Sequence, residues 1–62
     1  MTGVVQDVKR FKHKSYGFIK GKDGNIFYFN LGETIDSETL SEGAKVEFLV
    51  RGNKATNVKQ IL

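Results

Sequence analysis

Seven aromatic side chains occur in 62 residues, and five of them fall between positions 16 and 29: Tyr16, Phe18, Phe27, Tyr28 and Phe29. Lysines frame this stretch, with Lys14 before Tyr16 and Lys20 after Ile19. Exposed rings accept the faces of unpaired bases, and ammonium groups neutralise phosphates. Rings interleaved with lysines therefore point to a single-stranded nucleic acid as ligand. A lone phenylalanine on a strand is more often core. The set as a whole resists that reading, because Ile19, Ile26, Val46, Phe48, Val50 and Val58 already claim the interior of so small a fold.

Strand alternation sorts the rings. Tyr16 and Phe18 share one face of a strand, and Gly17 and Ile19 share the other; Phe27 and Phe29 share a face, and Ile26 and Tyr28 the opposite one. If Ile19 and Ile26 point inward, then Tyr16, Phe18, Phe27 and Phe29 lie outside on neighbouring strands. Four such rings would form an exposed apolar patch, the usual mark of a binding surface. Gly17, lacking a side chain, would leave room for a base to lie flat.

The elements that must position these rings are short strands. Gly3 to Phe11 is rich in valine and reads as a first strand. Phe18-Ile19 and Ile26 to Phe29 are runs of β-formers on either side of Asp23-Gly24, a hairpin signal, so they should pair antiparallel. Val46, Phe48 and Val50 alternate with polar neighbours, which predicts a half-buried strand with Leu49 on the wrong face. Gly52-Asn53 marks a second turn, and Lys54 to Leu62 returns as a last strand. Leu31 to Gly43 is polar and without period, although Thr39 to Glu42 could form one helical turn. Five short strands without a sustained helical period predict a small all-β barrel, of OB-type Greek-key or SH3-like form. Periodicity leaves both open.

Composition narrows the setting. A chain of 62 residues without cysteine is one domain, 1–62, with no disulfide to staple it and no thiolate chemistry. No apolar run approaches a membrane span, and Met1-Thr2-Gly3 does not open a signal peptide, so a soluble, cytoplasmic monomer is expected. The net charge is only +3, but it is sorted along the chain. Met1 to Lys22 holds six bases and one acid, Asp7; Asp23 to Val50 holds six acids and one base; Arg51, Lys54 and Lys59 close the chain without an acid. A basic surface forms if the first and last segments lie side by side.

These residues resemble the cold-shock domain family. Lys14-Ser15-Tyr16-Gly17-Phe18-Ile19 is similar to that family's first ribonucleoprotein motif, K-G-F-G-F-I. Ile26-Phe27-Tyr28-Phe29-Asn30 stands where its second motif, V-F-V-H-F, follows the turn. Leu40, Glu42-Gly43, Val46, Phe48, Val50, Gly52-Asn53 and Ala55 to Val58 match the spacing of its last two strands. The resemblance covers nearly the whole chain. It implies a five-stranded antiparallel OB-type Greek-key barrel that binds single-stranded RNA or DNA with low sequence specificity, in the manner of an RNA chaperone. Lys14, Tyr16, Phe18, Phe27 and Phe29 would carry the contacts, and Lys54 would meet phosphate.

The family's first strand reads G-x-V-K-W-F, and this chain has no tryptophan. Either Val8-Lys9-Arg10-Phe11 fills the last four positions, or Gly3 and Val5 hold the register and Asp7 stands at the tryptophan position. The first alignment is preferred because it keeps a cation and an aromatic on the face, and it adds Lys9, Arg10 and Phe11 to the candidate contacts. Phe29 replaces the family histidine, and Asn30, which stacks poorly, replaces the following aromatic.

Catalytic chemistry finds little to build on. His13 is the single histidine and sits among lysines, and Ser15, Ser37 and Ser41 lack an evident base. Asp36, Glu38 and Glu42 lack the density and spacing of a calcium loop. No enzyme, metal or cofactor is expected. The alternative from another class is an SH3-like barrel whose aromatics hold an extended peptide. Such grooves favour tryptophan and acids, whereas lysines frame the rings here.

Overall fold

A computed structural model of the chain describes residues 1–33 and 40–61. Five strands appear: β1 Thr2–Arg10, β2 Ser15–Gly21, β3 Ile26–Asn30, β4 Lys45–Arg51 and β5 Lys54–Gln60. A 3-10 turn, Leu31–Glu33, follows β3. The strands close into a barrel in the order β1-β2-β3-β5-β4, the OB-type arrangement. Four pairings are antiparallel, and β3 meets β5 in a short parallel contact, Tyr28 beside Lys54. Of the segment considered as a helical turn, Thr39 lies outside the described residues. Ser41 to Ala44 is a tight turn, in which the Ala44 N–H donates to the Ser41 carbonyl at 3.1 Å.

The core holds Val5, Ile19, Phe27, Phe29, Leu31, Leu40, Val46, Phe48, Ala55 and Val58. Burial of each large side chain contributes about 1.5–3 kcal/mol. Val46, Phe48, Val58 and Ile19 are inside, as alternation requires. Ile26 and Val50 are not: they are 45% and 41% exposed. Val50 pairs with buried Ala55, but it stands at the rim, one residue from the end of β4.

Phe27 and Phe29 correct the expectation of an outward face on β3. They are 5% and 0% exposed, and the Phe27 ring packs on Phe48 at 5.4 Å between centroids. The cause is the hairpin connection. A two-residue Asp-Gly turn would pair Ile19 with Tyr28 and put Ile26 inside. The chain instead uses three residues, Lys22-Asp23-Gly24. The Gly24 N–H closes a β-turn on the Gly21 carbonyl, Gly24 adopts φ +88°, and the Gly21 N–H bonds to the Asn25 carbonyl. This is the three-residue hairpin, a turn followed by a left-handed glycine. Ile19 then faces Phe27 and Phe18 faces Tyr28. One residue of slip moves every β3 side chain to the other face.

Gly17 is corrected with them. It is buried, and a Cβ there would stand 2.5 Å from the Asp7 carbonyl oxygen and 2.7 Å from the Phe29 ring. The missing side chain makes room for Phe29 inside the barrel, not for a ligand outside it.

Candidate nucleic-acid interface

Cross-strand partners share a face, so the pairing register writes out the exterior in rows. The first row is Lys9, Tyr16 and Asn30. The second is Asp7, Phe18, Tyr28 and Lys54. The third is Val4, Lys20 and Ile26. Rings occupy the centre of this surface, and ionisable groups occupy its edges.

Four rings form one continuous cluster. Phe11 stacks on Tyr16 at 6.0 Å and 25°, and Tyr16 stacks on Tyr28 at 5.7 Å and 30°. Phe18 meets Tyr16 and Tyr28 edge-on at 6.1 and 6.0 Å. These distances lie in the range of favourable aromatic pairs. Tyr16, Phe18 and Tyr28 are half-buried, each flanked by its neighbours, whereas Phe11 is 59% exposed at the start of the β1–β2 loop. The Lys14 ammonium stands 5.6 Å from the Tyr16 ring centre, within cation–π range. The β1–β2 loop is pinned by the Phe11 N–H bonded to the Lys14 carbonyl, and beside it a cavity of about 380 Å³ opens between Phe11, Lys12, Lys14 and Asn30.

Among the residues singled out from sequence, Lys9, Phe11, Lys14, Tyr16, Phe18 and Lys54 are brought together around this cluster. Phe27 and Phe29 are not: their rings are inside the barrel and offer no face to a ligand. Arg10 also departs from expectation. It pairs with Ser15, on the side of β1 that carries Val8, and its guanidinium donates to the Leu40 carbonyl at 2.9 Å. The first strand is irregular between Val5 and Asp7, and this bulge brings Asp7 opposite Phe18. The structure therefore favours the alignment held by Gly3 and Val5, with Asp7 on the aromatic face. Asp7 Oδ2 accepts a contact from the Lys9 ammonium at 3.3 Å.

Sequence reasoning missed Tyr28 and Asn30 as members of this surface, and it carried Asp7 only as the less favoured of two alignments. The signal for Tyr28 was present: shifted by one residue, Phe27-Tyr28-Phe29-Asn30-Leu31 fits the V-F-V-H-F form with apolar residues at both valine positions. Tyr28 then takes the outward ring, and Asn30 takes the histidine position. The Asn30 carboxamide oxygen accepts the Gly32 N–H at 2.8 Å, which turns the chain into the 3-10 segment.

Among the described residues no helix is long and apolar enough to cross a membrane, and no cluster of His, Cys, Asp or Glu could hold a metal ion. The exposed rings bordered by lysine fit nucleic-acid binding. No protein-family model matches the chain. Cold shock protein 1 of Lactiplantibacillus plantarum (strain ATCC BAA-793 / NCIMB 8826 / WCFS1) is 45% identical over 51 residues, which covers 73% of this chain and 77% of that protein. That identity, carried on a closed five-stranded barrel, makes this chain a member of the cold-shock family.

Proposed function

We propose that the chain binds single-stranded RNA or DNA by stacking unpaired bases on Phe11, Tyr16, Phe18 and Tyr28, with Lys9, Lys14, Lys20 and Lys54 meeting the phosphates. The observation that carries this reading is the exterior ring cluster itself. A contiguous cluster of rings on the outside of so small a barrel is the usual mark of a binding surface. Base stacking is tolerant of sequence because every base has a π-face, so the bulk of the affinity is sequence-independent. Weak, general binding of this kind keeps strands unpaired, which is what an RNA chaperone does.

The test is a titration with a short single strand and with its duplex. The single strand should bind at least about tenfold more tightly, because paired and stacked bases withhold their faces. Equal affinity for the two forms would overturn the stacking reading and leave a plain basic surface.

A further inference from the structure

We infer that Asp7 is a specificity residue on this face, reading the Watson–Crick edge of the base that lies on Phe18 and favouring guanine there. The inference rests on the nucleic-acid reading above and goes beyond it, since stacking alone chooses no base.

An acid on a surface for polyanions needs an explanation. Asp7 stands at the β1 edge of the ring cluster, immediately beside a ring, and is not set apart from it on the surface. It is the direct cross-strand partner of Phe18, in the row that continues through Tyr28 to Lys54. Partners of this kind have Cβ atoms about 4.5–5.5 Å apart. A base lying on the Phe18 ring extends beyond it, and on the β1 side its edge reaches the carboxylate. A phosphate brought to the same place would be repelled.

The chemistry of a carboxylate then selects among bases. It accepts hydrogen bonds and donates none. Guanine offers two adjacent donors, N1–H and the N2 amino group, which match two carboxylate oxygens. Adenine and cytosine offer one amino donor beside a bare ring nitrogen. Thymine and uracil offer one N–H between two carbonyl oxygens, and those oxygens face the carboxylate unfavourably. Edge recognition of unstacked bases is the usual source of sequence preference on single strands.

The existing partner of Asp7 does not block this role. The Lys9 contact is 3.3 Å long, and the two side chains are 50% and 36% exposed. Exposed pairs of this type hold their geometry weakly and exchange partners readily. On binding, Lys9 is free to turn to a neighbouring phosphate while the carboxylate takes the base edge.

The experiment uses the whole chain and four short DNA strands: heptathymidylate, and the same strand with a central guanine, inosine or adenine. Inosine keeps N1–H but lacks the N2 amino group. The guanine strand should bind about tenfold more tightly than heptathymidylate, the worth of charge-assisted hydrogen bonds partly open to water. Inosine should fall between them. In Asp7→Asn, which keeps the side-chain size, the guanine advantage should shrink to about twofold or less. Equal binding of all four strands by the unaltered chain overturns the inference and leaves the stacking reading intact. So does an Asp7→Asn variant that gains affinity for every strand alike and keeps any guanine preference, since the carboxylate would then act only as a repelling charge. Failure of every strand to bind overturns both readings.

Discussion

Phe27, Tyr28 and Phe29 are consecutive aromatic residues with opposite duties. Phe29 is wholly buried against Gly17, and Tyr28 stacks on Tyr16 outside. Phe29→Ala should therefore cost about 3–5 kcal/mol of stability, the range for a large ring lost from a core. In a domain whose total stability is of order 5–15 kcal/mol or less, that change lowers the melting temperature sharply. Tyr28→Ala should leave the fold standing and weaken single-strand binding by about 1–3 kcal/mol, one lost stack. Melting temperature and affinity measured on both variants separate the two roles. A Phe29→Ala variant that melts normally but loses binding would reverse the assignment. The Arg10 guanidinium, by contrast, bonds to the Leu40 carbonyl and so ties the end of β1 to the segment before β4.

At the scale of elements, the β2–β3 hairpin decides which rings reach the outer face. Its three-residue connection places Gly24 at φ +88°, a region that side chains disfavour. Gly24→Ala should destabilise the barrel by about 1 kcal/mol, visible as a lower urea midpoint with an unchanged slope. The space around Gly24 is open, so backbone strain is the sole expected cause. An unchanged midpoint would mean that the hairpin tolerates another turn. This connection also explains how far the sequence could be read. The five strands, the two turns and the inward Ile19, Val46, Phe48 and Val58 follow from alternation and turn chemistry. The facing of β3 does not, because Ile26 to Phe29 is apolar at every position and presents no alternation to read. Asp23-Gly24 suits a two-residue and a three-residue connection equally, and the two choices give opposite faces. The place of Asp7 was obscured similarly, since a bulge between Val5 and Asp7 breaks the simple count along β1. Asn57 marks a comparable irregularity late in the chain: it takes φ +52° where the β4–β5 pairing shifts register. Asparagine tolerates that conformation better than most residues.

Across the whole molecule, the barrel is not closed equally all round. β1 and β2 pair along most of their length, whereas β3 and β5 meet at Tyr28 and Lys54, with the Tyr28 N–H on the Asn53 carbonyl at 3.2 Å. This short parallel ladder is a seam, and it runs through the aromatic face. Small proteins open locally where few backbone bonds must break, so the seam is where the barrel should breathe. A strand laid across Tyr28 and Lys54 would act as a clasp over the opening, and recognition would tighten the fold at its loosest joint. Amide hydrogen–deuterium exchange makes this visible. At a hundred times Kd, exchange at Tyr28 should slow by up to about a hundredfold if the open seam cannot hold the strand. Unaltered exchange at Tyr28 would mean that the ligand leaves the seam uncovered. On the proposed reading, single-strand binding has a counterpart in the architecture: a bound strand would complete, from outside, the edge that β3 and β5 leave scarcely joined.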